Sequence, residues 1–435
     1  MSDRSLRRRY GAGTLALALA SGAALADETC MSPYMAKIEG EEEFVYVWTL
    51  GIEGLGDGSD KLVTVDVRSG SPTFGQVVDV DSVGGRHEAH HGGLTDDRRH
   101  YWVQGLDTSM IWVFDIASDP SNPQLVMTID DFVERSGGVV GPHGAYALPG
   151  RMLISGLSNV DKSGRTALVE YANDGTYIAT HWMPTAEDPQ GAIDGHLADG
   201  YGYDARVLPR RNAMLTSSFT GWDNYMREMA EVVSDPDAMA RFGNTMVLWD
   251  FHARTPRQVF HVPGVPLEIR WAWGEDHNYA FTTTALTSEI WLVHEDDQGV
   301  WRAEAVGTVG DPAALPLPVD ISLSADDRTL FVSTFMDGMT RIYDVSDPFQ
   351  PSLIHERKIG SQVNMVSQSW DGERIYYTSS LLANWDKKGD ENEQFMKAFT
   401  WDGATLTPRF ELDFLAAELG RPHLMRFGAS ALYVN

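Results

Sequence analysis

The chain of 435 residues is long enough for a large core, as two ordinary domains or one large repetitive one, and its 62 acidic side chains outnumber 34 basic ones for a net charge of −28. So acidic a surface favours solubility and repels phosphate backbones and anionic head groups, which excludes nucleic acid and membrane surfaces as expected partners. Cys30 is the only cysteine, so no disulfide forms within the chain and stability must come from packing and ring closure.

Residues 1–26 read as a cleaved secretory leader: Arg4, Arg7, Arg8 and Arg9 give a positive start, Leu15 and Leu19 bound a short apolar run, and Ala24-Leu25-Ala26 gives a small-x-small cleavage pattern. The run is too short to span a bilayer, so the expectation is export to the periplasm and release, without membrane insertion. The leader takes away four arginines and one aspartate, which leaves the mature chain, 27–435, at −31. Cys30 lies four residues past the cleavage point and lacks the small apolar residues that precede a lipidated cysteine.

A strand-like unit, alternating and rich in β-branched or aromatic residues, then recurs seven times, at 62–67, 111–115, 167–171, 246–250, 290–294, 340–344 and 396–401. The spacing of about 45 to 80 residues fits propeller blades with insertions. Most copies follow a second such stretch, entered through a polar or Gly/Pro turn such as Asp96-Asp97-Arg98 or Pro149-Gly150. Ahead of each turn stands one more short segment. In order these carry His90 with His91, His143, Tyr203 with Asp204, Glu268 with Arg270, Asp320, Asn364 with Met365, and His423. The expected fold is all-β, a single seven-bladed β-propeller over 27–435 in which these residues start the innermost strands around one channel. Closure needs strands from Phe44 onward to complete the blade that the C-terminal segment begins. Residues 221–243 have helix-forming composition and predict a helical insertion, serving as an active-site cap, a subunit contact or a plain excursion.

Three imidazoles crowd into His87-Glu88-Ala89-His90-His91-Gly92-Gly93, a dense supply of the commonest metal-ligand side chain. Adjacent residues of a regular strand point to opposite faces, so His90 and His91 share one ion only if the strand is distorted, or else ligands come from elsewhere. In a closed ring the seventh inner segment neighbours the first, which neighbours the second. His90 or His91, His143 and His423 then come from three adjacent blades at one mouth of the channel. Taken singly, each reads better as a satisfied core or surface histidine; three matching positions favour a metal. Imidazole suits copper, zinc, iron and nickel, and outside the cytoplasm copper is available in a site that holds both its oxidation states. His196, in Asp194-Gly195-His196, is the reserve ligand. Glu268 and Asp320 are candidate acids or bases and Arg270 a candidate anion clamp, with mutual pairing of the three to satisfy the channel wall as the favoured alternative. Trp271, Trp273 and Trp222 are candidates for an apolar substrate pocket, against blade core.

Several segments resemble the selenium-binding protein family: Ala89-His90-His91-Gly92-Gly93, Pro266-Leu267-Glu268-Ile269-Arg270, the run from Asp320 to Arg328, Ile342-Tyr343-Asp344-Val345-Ser346-Asp347-Pro348, and Asn384-Trp385-Asp386. The leader followed by Cys30-Met31-Ser32-Pro33-Tyr34-Met35 resembles its exported bacterial branch, the methanethiol oxidases. The likeness runs in order along nearly all of the mature chain. It implies a seven-bladed propeller and a copper-dependent oxidase that converts methanethiol, O2 and water to formaldehyde, hydrogen sulfide and hydrogen peroxide. By residue it implies His90, His91, His143 and His423 as the family's histidines, and Glu268 and Arg270 as its Pro-Leu-Glu-Ile-Arg run. Gly75 replaces a cysteine that animal members associate with selenium and Asp337 replaces a histidine. No cysteine follows the tandem histidine, and Gly428-Ala429-Ser430 lacks a terminal one, so selenium binding is not implied. The rival expectation is a non-catalytic periplasmic propeller that binds metal or selenium and turns over nothing. Self-association is left open by either.

Overall fold

The computed structural model describes residues 28–29, 31–187 and 191–433; the expected leader and Cys30 lie outside the described residues. Among the described residues the strands form seven four-stranded antiparallel sheets arranged as the blades of a propeller. Blade two shows the plan, running from the channel outward as Ala89–Leu94, His100–Gly105, Met110–Asp115 and Gln124–Ile129. The seven sequence copies are the third strands, the stretches before them the second strands, and the histidine-bearing segments the innermost strands.

Burial explains why the third strands are the legible ones. They lie between neighbouring blades, so Lys61–Asp66 and Met110–Asp115 are buried almost throughout and read as dense β-branched and aromatic runs. The outermost strands face water on one side; Gln76–Ser82 alternates exposed and half-buried along its whole length. Trp48, Trp102 and Trp249 are fully buried between blades.

Blade one is built from both ends of the chain. Phe44–Leu50 pairs antiparallel with Arg421–Gly428, from Phe44 against Gly428 to Leu50 against Arg421, as ring closure requires. At the end of the channel remote from the histidines, residues 28–29 and 31–36 contact one blade after the next. The Glu28 carboxylate accepts from the Phe427 N–H and faces Arg426, Thr29 N–H donates to the Gln368 carbonyl at 3.3 Å, and Ala36 N–H donates to the Asp96 carbonyl at 2.7 Å.

The insertion in blade four is helical, but as three short helices: Trp222–Tyr225, Met229–Ser234 and Pro236–Met239. Pro236 cannot donate to a preceding turn, and Asp235 caps the third helix by accepting from Asp237 N–H, so the segment breaks there. No helix among the described residues is long and apolar enough to cross a membrane.

Candidate metal centre

The tandem histidine faces the channel because its strand bulges. Ala89 pairs with Gly105 and Gly92 with Val103, so His90 and His91 together stand opposite the single Gln104, and Glu88 ahead of them takes φ 57°. Gly93 follows because a Cβ there would lie 1.9 Å from the Ala145 carbonyl oxygen of blade three. The same irregularity recurs at the strands of the other two histidines. His143 and Gly144 stand opposite Ser155 alone, and His423 is an extra residue between partners Pro422 and Leu424 of the adjacent Thr49 and Trp48. A proline precedes both histidines, Pro142 and Pro422, at the bulged, channel-facing edge where a missing N–H costs no ladder bond. His143 therefore sits in the middle of the strand Val139–Leu148 and not at its start.

The four rings form one buried cluster. His90 stacks on His423 at 3.8 Å and His91 on His143 at 3.9 Å, while His90–His91, His90–His143 and His91–His423 are each 5.0 Å apart by ring centroid. One ring nitrogen from each of His90, His91 and His423 lies within 4.8 Å of the others, close enough for these three to hold a metal ion, with His143 stacked beside them. His143 Nδ1–H donates to the Tyr203 carbonyl at 3.0 Å and His423 Nδ1–H to the Ser380 carbonyl at 2.9 Å. Each bond leaves Nε2 as the lone-pair nitrogen, the arrangement by which outer partners orient metal-ligating histidines. His90 Nδ1 and the Nε2 atoms of His91, His143 and His423 are buried and take no hydrogen bond among the described residues. Burial holds all four imidazoles neutral, His143 and His423 down to about 3 and His90 and His91 well below the usual histidine range. Four neutral donors with unmet lone pairs in a dry site fit a borderline or soft cation.

The opposite wall is charged and paired. Arg270 bridges Glu268 Oε2 at 2.8 Å and Asp320 Oδ1 at 2.9 Å, and Arg206 holds Asp204 Oδ2 at 2.8 Å and reaches Glu268 Oε2 at 3.4 Å. Backbone N–H groups of Ile269, Ile321 and Val366 complete the shells of Asp204 and Asp320. Burial raises the Asp320 carboxyl to about 7, opposed by Arg270; for Glu268 the Arg270 and Arg206 charges outweigh burial and hold it below the usual range. Glu268 keeps Oε1 without a hydrogen bond among the described residues, 3.8 Å from His91 Nε2. Asp320 and Arg270 are thus engaged in the wall, and Glu268 is shared between wall and histidines.

An apolar cavity of about 170 Å³ covers the channel mouth beside the histidines. Its walls include Phe219 and Met229 of blade four and its insertion, Leu267 of blade five, Val319 of blade six and Trp385 of blade seven. Tyr203 lines it from below and lies 4.1 Å from the His143 ring. The tryptophans expected here lie elsewhere. Trp271 and Trp273 line a small cavity at the far mouth, with their indole N–H groups on the Arg206 and Thr29 carbonyls, and Trp222 packs beside Tyr225. His196 is exposed in the loop before blade four, where its backbone pairs with Ile193, and it does not join this cluster. At Gly75 a cysteine would need φ 73° and put its Cβ 2.9 Å from Phe410, so the turn is built for glycine.

A family profile described as "56kDa selenium binding protein" matches residues 24–428. A methanethiol oxidase of Ruegeria pomeroyi is 62% identical over 433 residues, 98% of this chain and 99% of that one, and a methanethiol oxidase of a Hyphomicrobium species is 51% identical, covering 98% and 96%. A human methanethiol oxidase is 27% identical over 87% of this chain and 91% of its own. Among solved structures, a hypothetical selenium-binding protein of Sulfolobus tokodaii superposes with TM-score 0.75 at 24% identity, covering 90% of this chain and 94% of that one.

Proposed function

The chain belongs to the 56kDa selenium binding protein family, and from that premise we propose that it is a copper-dependent methanethiol oxidase, yielding formaldehyde, hydrogen sulfide and hydrogen peroxide from methanethiol, O2 and water. The observation that carries the reading is the set of four buried, neutral imidazoles, each with one buried ring nitrogen that takes no hydrogen bond among the described residues. His90, His91 and His423 would hold the metal, with His143 as a fourth donor. Copper, when bound, supplies a soft acceptor for sulfur and a redox couple for oxygen.

The chain's own residues do the rest. The apolar cavity admits a neutral thiol and keeps bulk water from the histidines, and the Tyr203 and Ser380 carbonyls fix the tautomers of His143 and His423. Glu268, kept anionic by two arginines, offers Oε1 to the proton released from sulfur or carbon; Asp320 steadies Arg270 and through it the same carboxylate. Export through residues 1–26 to the periplasm belongs to the same reading, since copper and volatile thiols are both met there. The test is metal analysis and thiol-dependent peroxide release by the purified mature protein. The reading holds if copper and turnover are both present in the parent and lost in His143→Ala. It fails if the protein purifies with no affinity for copper, or if His143→Ala oxidises methanethiol at the parent rate. A carrier would bind copper and release no peroxide.

A further inference from the structure

The cavity over the histidines is far larger than methanethiol needs. Its volume of about 170 Å³ is enclosed by aliphatic, methionine and aromatic side chains, and Tyr203 is the residue that brings a hydroxyl to its lining. Apolar cavities of roughly 150 Å³ stay dry and take up a molecule the size of benzene. Methanethiol has two heavy atoms where benzene has six, so it leaves most of this space unfilled. Placement matters as much as size. Tyr203 touches both the cavity and His143, Leu267 and Val319 stand next in sequence to Glu268 and Asp320, and Leu315 and Met336 at the rim are 49% and 39% exposed. The space therefore lies between the partly exposed rim and Tyr203, whose ring packs on His143, without a charged group in its lining.

Resting on the reading of the histidines as a thiol-oxidising centre, we infer that this cavity is a subsite for the organic group of larger neutral thiols, about four to six heavy atoms beyond sulfur, and that it rejects zwitterionic or anionic thiols. Burying an alkyl chain there is favourable by about 0.8 kcal/mol per methylene, whereas an ammonium or carboxylate would lose its hydration with no partner in the lining. A primary thiol with hydrogen on the sulfur-bearing carbon follows the same stoichiometry as methanethiol. Two electrons leave that carbon for O2, which becomes hydrogen peroxide; the carbon–sulfur bond breaks, sulfur departs as hydrogen sulfide, and the oxygen of water becomes the aldehyde oxygen. Benzenethiol has no such hydrogen and is held without being consumed.

The experiment uses the mature, copper-loaded protein with methanethiol, 1-butanethiol, benzenethiol and L-cysteine, reading hydrogen peroxide, butanal and competition against methanethiol. Expected are butanal with stoichiometric peroxide from butanethiol, competitive inhibition by benzenethiol, and competition by L-cysteine at least tenfold weaker than by either. Val319→Phe, which fills the floor, should lower kcat/KM for butanethiol at least tenfold more than for methanethiol. Met336→Glu, at the exposed rim where folding is not at stake, should shift the same ratio about threefold. If methanethiol is oxidised while butanethiol and benzenethiol neither react nor compete, or L-cysteine competes equally, the inference is overturned and the oxidase reading stands. If methanethiol itself yields no peroxide, the oxidase reading fails and the inference with it.

Discussion

Two walls of one channel, equally buried, solve the problem of polar groups in a dry interior in opposite ways. On one, Asp204, Asp320, Arg206 and Arg270 meet one another and backbone N–H groups, so the wall is complete without a ligand. On the other, His143 and His423 each satisfy their outer nitrogen on a backbone carbonyl, and all four imidazoles keep one buried nitrogen without a hydrogen bond among the described residues. Left alone, each such nitrogen costs roughly 1–3 kcal/mol, so the difference marks one wall as scaffold and the other as receptor. Glu268 belongs to both, with Oε2 on the arginines and Oε1 toward His91.

The contrast can be broken most sharply at His423. His423→Ala should bring copper content down and thiol-dependent peroxide release to background, more than about a hundredfold, while the urea midpoint of the metal-free protein stays close to the parent's. A variant that kept copper and activity would make the histidines wall as well. On the charged side, Arg270→Met leaves Glu268 and Asp320 facing each other without their shared cation, and should cost about 3–5 kcal/mol in urea unfolding. A loss below about 1 kcal/mol would mean that the carboxylates simply take up protons and that the pairing was not needed. At the shared residue, Glu268→Gln should slow turnover about a hundredfold, about 2.7 kcal/mol, with copper content unchanged. Loss of copper there would reassign Glu268 to the metal. The smallest effect lies outside the channel, at Glu170. Burial pushes its carboxyl up, but hydrogen bonds from His181 and Arg254 and the Arg254 charge prevail and hold it at about 2 against an ordinary 4.5. Its stabilisation is full above pH 4.5 and is lost as pH falls through about 2, so Glu170→Gln should flatten the acid side of a urea-midpoint profile between those values and leave thiol oxidation at neutral pH as it was.

The propeller was legible because blade cores are written locally: each third strand is a dense apolar run, and seven runs at blade spacing leave few alternatives. Convergence of residues 333 positions apart, His90 and His423, followed from ring order alone. The bulges did not. Their signals, Gly92-Gly93 after the tandem histidine and a proline before His143 and His423, look like ordinary turn chemistry until the pairing partners are known. The pocket was misplaced for a related reason. Trp271 ends its inner strand, at the far mouth, whereas Trp385 reaches the near mouth from a loop of blade seven that no periodicity describes. Placing a side chain at one mouth or the other takes register along the channel, which hydrophobic patterning leaves unspecified.

The seam in blade one sets a timetable. Because Arg421–Gly428 must find Phe44–Leu50 before the rotor shuts, a polypeptide still emerging lacks both His423 and the enclosure that buries the other three imidazoles. In the metal-centre reading proposed above, cation capture would then wait until the two distant segments have met, and a truncation after position 420 would remove His423 and with it the affinity for metal.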